Sequence, residues 1–472
     1  MVHLRPRRVA PGLAMAVIVA AAPFSNVLAS AVPTVGPNVD ISRFADNETE
    51  TTVAVNPADP SNVVVFSNLQ VADGLWEAVS FDGGATWSSH AIATGSDGLG
   101  FACCDANASF DQYGNLFIVY LDARAKKVQA AYSTDGGTTM RYLGAVDHTD
   151  NSSPSSNGKK WSAGADQPSL ATGTGGTWFV YKLFGQGGQL LQVRGLPVSG
   201  LGQFGSLSPS KGVPGSKYGS FGDIVVGDTG QVLVTYQDGT DGQGPATIWT
   251  NLDPDGFGAA GFGAARAATA SNVGGFDYIT PQSHRSVDAE AGLAYDRSGG
   301  AHDGRLYLLY TDEQPDESND TNIFVRYSDN NGASWTNPVR VNDDTGTNSQ
   351  FNPHIAVDQS TGKIAVGFHD SRNDLGLGGS GDTNGIANDD AQYFVAVSSD
   401  AGATFSANVQ VSAGTSNAAD AHNGIDYGDY TGLGFAGGVI HPAWADNSNS
   451  TGNNPDGPLH RFDVYSAAVT VP

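Results

Sequence analysis

Ser80-Phe81-Asp82-Gly83-Gly84-Ala85-Thr86-Trp87 is one of four near copies of a single turn. The others are Ser133-Thr134-Asp135-Gly136-Gly137-Thr138-Thr139-Met140, Ser328-Asp329-Asn330-Asn331-Gly332-Ala333-Ser334-Trp335 and Ser399-Asp400-Ala401-Gly402-Ala403-Thr404-Phe405. Each follows one strand-like run and precedes another. Asp-Gly and Gly-Gly supply the positive-φ positions of a tight hairpin, Asp and Ser side chains bond the local backbone, and the closing aromatic fills the core beneath. The recurring turn predicts a fold built from repeated hairpins.

A longer unit surrounds the turn. An inner-strand pattern of acid-x-x-apolar-x-apolar-Asp recurs at 50–56, 105–111, 166–172, 222–228, 290–296, 352–358 and 429–435. A second strand follows each, ending in Phe66-Ser67-Asn68, Tyr120-Leu121-Asp122, Tyr236-Gln237-Asp238, Tyr310-Thr311-Asp312, Phe368-His369-Asp370 or Trp444-Ala445-Asp446; Tyr181-Lys182-Leu183 breaks the pattern. Units repeating every roughly 55 to 75 residues are the size of propeller blades with insertions. The last unit stops after its third strand, and Pro37-Asn38-Val39-Asp40-Ile41-Ser42 matches the fourth strands at 337–342 and 407–412. The expected fold is all-β, a single propeller over 32–472, its ring closed by pairing the N-terminal strand with the last blade. Seven blades are expected, with six open if 166–258 holds one distorted unit. The 62 glycines and the many β-branched and aromatic runs agree.

The opening residues point to export. Arg5, Arg7 and Arg8 precede a short apolar stretch from Gly12 to Phe24, and Ala29-Ser30-Ala31 offers a cleavage site, so residues 1–31 read as a signal peptide. The protein is expected to be secreted, extracellular or periplasmic. The formal charge is −25, and it becomes about −28 once the three leader arginines leave. Such an acid excess disfavours nucleic acid and anionic membranes as partners. The expected partner is an extracellular glycan or polysaccharide, and the expected state is a monomer.

The four turns resemble the Asp-box, or BNR, motif of the sialidase-like secreted propellers. That resemblance places each box between the third and fourth strands of a blade, on the face opposite the usual site. Propeller topology then brings the starts of the first strands together around the channel mouth: Glu50, Asp105, Asp166, Asp223, Glu290 and Asp429, with Asp122, Asp238, Asp312, Asp370 and Asp446 outside them. Acids at strand starts also cap loop amides, and that structural reading stands beside the functional one. Four arginines, Arg43, Arg124, Arg285 and Arg372, flank the mouth by position and are candidates to bind a substrate carboxylate, or to neutralise a neighbouring Asp. Sialidases combine an arginine triad with a Glu-activated Tyr nucleophile and an Asp acid/base. The resemblance carries these roles to Arg43, Asp105, Glu290, Arg372 and either Tyr427 or Tyr430. The chain departs from the family in two places: Phe44-Ala45 follows Arg43 where Ile-Pro is usual, and Arg285 precedes Glu290.

The favoured reading is therefore a sialidase-like glycoside hydrolase. Two alternatives stay open: a polysaccharide lyase using His369 and Tyr427 or Tyr430 with Arg372, and a non-catalytic glycan- or protein-binding propeller. No organic cofactor is implied. The Gly-rich acidic loop from Asp370 to Asp390 is a candidate calcium site, with Asp370, Asp374, Asp382, Asn384, Asp389 and Asp390 as ligands. Cys103 and Cys104 are the only cysteines; a vicinal disulfide beside Asp105 and a pair of reduced thiols both remain open.

Overall fold

The second strand of each repeat is apolar on both faces because two neighbouring sheets cover it. Val63–Leu69, Gly176–Leu183 and Ile364–Asp370 are buried at every residue, the condition that turns an alternating pattern into a continuous apolar run. The computed structural model describes residue 1 and residues 32–472, apart from 70–73, 148–163, 185–189, 241 and 423. The expected signal peptide, Met1 excepted, lies outside the described residues.

Seven antiparallel sheets form the blades. Blade one comprises Glu48–Val55, Val63–Leu69, Leu75–Ser80 and Ser88–Ile92; blade two, Ala102–Phe110, Leu116–Asp122, Val128–Ser133 and Arg141–Ala145. Blade three runs from Ala165–Gly173 through Gly176–Leu183 to Gln192–Gly200, edged by Gln203–Phe204 and Lys211–Gly212. Blade four holds Ser220–Val226, Val232–Gln237, Ala246–Asp253 and Arg266–Ser271; blade five, Gly292–Tyr295, Leu306–Glu313, Thr321–Ser328 and Val339–Arg340. Blade six holds Gln350–Val357, Ile364–Asp370, Asp390–Ser398 and Val409–Gln410. In blade seven, Gly432–Ala436, Val439–Asp446 and Asp463–Ser466 are followed outward by Val39–Asp40, which pairs antiparallel with Asp463–Ser466.

The repeated turns explain how blades lock to one another. Ser80 Oγ donates to Asp82 (2.9 Å) and accepts from the Gly84 N–H (2.9 Å), while Asp82 accepts from the Thr86 N–H at 2.8 Å. The same three bonds recur at Ser133/Asp135 and Ser328/Asn330. In the fourth turn the serine is Ser398, one residue before the Ser399 that the sequence alignment chose: it donates to Asp400 (2.8 Å) and accepts from the Gly402 N–H. A degenerate fifth turn in blade four, Asp253-Pro254-Asp255-Gly256, puts Asp253 in the serine's place, accepting from Gly256 N–H at 3.1 Å. Each turn rests on the preceding blade. Asn62 donates to Gly136 O (3.0 Å), Arg305 to Ala401 O (3.0 Å), and Phe257 packs on Trp178 with ring centroids 4.4 Å apart.

A second belt ties the inner strands together. Thr52 Oγ1 accepts from Ala108 N–H, Asn107 Oδ1 from Leu170 N–H and Asp223 Oδ2 from Leu293 N–H, each reaching one blade forward. Blade seven closes tightly on blade one through Gly432 and Gly434. A Cβ on Gly432 would lie 2.8 Å from Val53 N, and one on Gly434 2.5 Å from Val55 Cγ2.

Candidate functional site

The channel mouth is organised by a bulge repeated from blade to blade. Register slips between Thr49/Thr52, Cys104/Asn107, Asp166/Ser169, Ser220/Asp223 and Phe351/His354. Within each slip one residue has positive φ: Glu50 (57°), Asp105 (58°), Gln167 (49°), Phe221 (56°) and Asn352 (48°), with Glu290 (43°) equivalent in blade five. A bulge re-aims the side chain it carries, and non-glycine residues hold this conformation only where the surroundings enforce it. This corrects the sequence alignment in two blades. Gln167, not Asp166, and Phe221, not Asp223, occupy the ring position. Asp223 sits deeper, in the belt described above.

Six carboxyl groups nevertheless converge here: Glu50, Asp105, Asp166, Asp288, Glu290 and Asp429, each within electrostatic reach of others in the set. Asp105 Oδ2 and Asp166 Oδ1 accept from one and the same N–H, that of Gln167, at 3.3 and 3.1 Å. Glu50 accepts from Asn68 Nδ2 and from the Asp429 N–H at 3.1 Å. Burial first, and the charge of Asp429 second, push Glu50 up to about 7 and Asp288 up to about 8. Asp105 and Glu290 rise well above the usual carboxylate range through burial first and neighbouring acids second. Asp105, Asp288, Glu290, Asp429 and Tyr430 line a channel cavity of about 640 Å³. The Tyr430 hydroxyl oxygen is buried there with no hydrogen-bond partner among the described residues. Its acidity is suppressed by burial and by the charges of Glu50, Asp105, Asp429 and Glu290.

Arg285 is the arginine that acts on this cluster. It grips Asp429 with two parallel bonds, Nε to Oδ1 at 2.6 Å and the terminal nitrogen to Oδ2. That hydrogen bonding, set against desolvation, raises its own pKa. Arg285 comes from a long connection between blades four and five that the sequence pattern left unread. Gln282 fixes this loop to blade seven, donating to Gly428 O (2.9 Å) and accepting from Tyr427 N–H (3.0 Å). Its apolar residues Val273, Ile279 and Val287 share one buried cluster with Phe351, Tyr427 and Phe462.

The remaining sequence candidates are placed elsewhere. Tyr427 is fully buried, its hydroxyl donating to Ser416 O at 2.9 Å, so it anchors that cluster and cannot attack a substrate. His369 is equally buried, with ring centroids 4.6 Å from Tyr427 and 5.2 Å from Phe351; burial lowers its pKa to about 3, which leaves it neutral and shielded rather than a loop base. Arg372 bonds Asp370 (2.8 Å), Asp343 (2.6 Å) and Asn408 (2.7 Å) and stacks on Phe394. Arg43 is exposed and bonded to Asp40, and Arg124 is exposed in the turn after Leu116–Asp122. None of these five lines the channel cavity. The outer acids cap backbone amides: Asp122 accepts from Lys126 N–H, Asp238 from Thr247 N–H, Asp312 from Asn272 N–H, Asp370 from Arg372 N–H and Asp446 from Ser448 N–H.

In the Asp370–Asp390 loop, Asp374, Asp389 and Asp390 bring carboxylate oxygens within 4.8 Å of one another. Asp370 and Asp382 are engaged otherwise, with Arg372 and with the N–H groups of Gly378, Asn384 and Gly385 respectively. Cys103 and Cys104 are joined by a disulfide directly before Asp105.

No protein-family model and no curated protein matches the chain. Among solved structures it is similar to a protein of unknown function from Dyadobacter fermentans (11% identity, 93% of this chain and 99% of that one, TM-score 0.48). It is also similar to the endosialidase of phage phi92 (12%, 93% and 69%, TM-score 0.47). A third is a variant of an α-L-arabinofuranosidase from Fusarium graminearum in complex with an iminosugar inhibitor (12%, 71% and 93%, TM-score 0.46).

Proposed function

We propose that the protein is a carbohydrate-active propeller that hydrolyses glycosidic bonds of extracellular glycans at the acidic mouth of its channel. The observation that carries this reading is the pairing of Asp105 and Asp166 on a single N–H donor, beside a cavity that also receives Glu290, Asp429 and Tyr430. Glycoside hydrolysis needs a proton for the leaving oxygen and a carboxylate to meet the developing positive charge. Environments that separate the pKa values of neighbouring acids supply both. Asp105, kept protonated by burial and the charges of Glu50 and Asp166, serves as the acid. Asp429, ion-paired with Arg285, supplies the carboxylate. Glu290 is a second protonated carboxyl. Tyr430 acts as a hydrogen-bond donor to substrate rather than as a nucleophile, because the surrounding acids disfavour its phenolate.

The test is a glycan panel assayed for new reducing ends. Turnover that falls at least a hundredfold in both Asp105→Asn and Asp429→Asn supports the assignment. Unsaturated uronate products would move the protein to the lyase class, and saturable binding without turnover would make it a binding propeller.

A calcium ion at Asp374, Asp389 and Asp390 forms part of the same proposal. The three carboxylates suit a hard cation, and Asp389 Oδ1 is a buried oxygen without a hydrogen-bond partner. Melting curves with calcium and with chelator test it; coincident curves contradict it.

A further inference from the structure

The charge of the mouth says which sugars it admits. We propose that it prefers a sugar carrying a free ammonium group, an unacetylated hexosamine, over N-acetylated and carboxylated sugars; this rests on the reading of the mouth as a glycan site. A carboxylated sugar needs an uncommitted guanidinium, because bidentate Arg–carboxylate pairing is what recognises that group. Among the described residues the mouth offers none. Arg285 already holds Asp429 through both of its bonds, Arg372 is spread over Asp370, Asp343 and Asn408, and Arg43, whose Nε donates to Asp40 O, lies outside the channel cavity. The carboxylated sugar would instead add one more negative charge to a confined space in which Glu50, Asp105, Asp166, Asp288 and Glu290 already hold protons against one another, whereas a cation lets those protons leave. An ammonium group has the opposite experience. It brings three donors and a compact positive charge to acids that are short of donors, the best placed being the Asp105–Asp166 pair that shares one N–H.

A second, independent feature is aromatic. At the ring position where other blades place an acid or amide, blade four places Phe221, which lines the channel cavity. Phe276 stands edge-on to it, with centroids 6.4 Å apart and planes at 84°, and is itself 50% exposed. Tyr278, two residues on, is 55% exposed. Phe221 is held in place from behind, since a Cβ on Gly275 would lie 3.0 Å from its ring and 2.6 Å from Thr240 Cα. An aromatic face beside an acidic arc matches a pyranose whose C–H face is apolar and whose amino substituent is cationic. The unpartnered hydroxyl of Tyr430 adds a donor and an acceptor for a sugar hydroxyl. At longer range the net charge of −25 draws cationic chains and repels anionic ones.

The experiment is calorimetric titration of the protein with three oligosaccharides of equal length: a glucosamine oligomer, its fully N-acetylated counterpart and an oligogalacturonate. The glucosamine oligomer should bind at least tenfold more tightly than the N-acetylated one, with the uronate weakest, and added salt should shrink the ratio. Asp166→Asn should shrink the ratio too. Phe221→Ala should weaken both hexosamine oligomers alike and leave the ratio standing, which separates stacking from charge. Equal affinities, a uronate that binds best, a ratio indifferent to salt and to Asp166→Asn, or binding of none of the three would overturn the proposal. Parallel reducing-end assays keep the two readings apart. An intact ratio without turnover removes only the hydrolase assignment, whereas turnover without a ratio removes only the charge preference.

Discussion

The repeated turns and the channel mouth put the same functional group, a carboxyl, at opposite ends of the blades, and their surroundings treat it in opposite ways. In the turns, Asp82, Asp135 and Asp400 each receive donors from a serine hydroxyl and from backbone N–H groups, and their pKa values fall. At the mouth, Asp105, Asp288 and Glu290 have few donors and many charged neighbours, and their pKa values rise, with burial the leading cause. The lesson concerns donor supply. A carboxylate saturated by its own turn is a structural part; one that shares a donor with another carboxylate keeps its proton and is available for chemistry. The outer acids, Asp122 to Asp446, sit on the mouth face yet belong with the turns by this criterion, because each is capped.

This contrast can be broken by substitution. The largest effect is expected at the mouth. Asp105→Asn should lower kcat by about 10²- to 10³-fold while leaving the melting temperature unchanged or raised, since it removes a poorly solvated acid. A variant that unfolds while the residual folded fraction keeps full activity would place Asp105 among the structural acids.

Next in size is the pH dependence of stability. Glu50, held near 7, and Asp288 and Asp463, each held near 8, keep protons in the folded state that the unfolded chain releases around pH 4. The folded state thus binds more protons than the unfolded one across that interval. Their stabilisation is complete below about pH 4 and declines as pH rises toward 8. The turn acids run the other way and lose their contribution as pH falls through their depressed values. Urea midpoints should therefore be higher at pH 5 than at pH 8; the reverse order would contradict the account.

Smaller effects follow. Ser398→Ala removes a buried hydroxyl that joins Asp400 and Gly402, and should destabilise by about 1–2 kcal/mol without changing kcat. Denaturant melting and steady-state kinetics on one preparation check both halves. Arg124→Ala, an exposed change, should stay within about 0.5 kcal/mol and leave activity within twofold. A large loss of affinity there would mean that Arg124 reaches substrate after all.

The blades were legible in the sequence because their signals are local: a turn of eight residues, an apolar second strand, a repeat distance. The mouth was only half legible. Asp105 and Glu290 lie at the bulge, and simple alignment finds them. In blades three and four the conspicuous acids, Asp166 and Asp223, stand beside the bulge rather than on it, and a one-residue bulge leaves no mark in a pattern of acids and apolar residues. Tyr427 and Tyr430 are three residues apart in one loop, yet one is core and the other lines the cavity. What separates them is long-range packing of the Val273–Val287 loop, invisible locally. His369 did carry a signal: it lies inside a second strand that is buried throughout, where a side chain is far more often packed than solvated.

Infrared titration of protonated carboxyl groups tests the central claim most directly, because it needs no substrate. Between pH 5 and 9, the account predicts a carboxylic-acid carbonyl band that persists at pH 7 and loses intensity in Asp105→Asn and Asp288→Asn, while Asp400→Asn leaves it unchanged. A spectrum in which every carboxyl group is ionised by pH 6, or a persistent band that only the turn variant diminishes, would contradict it.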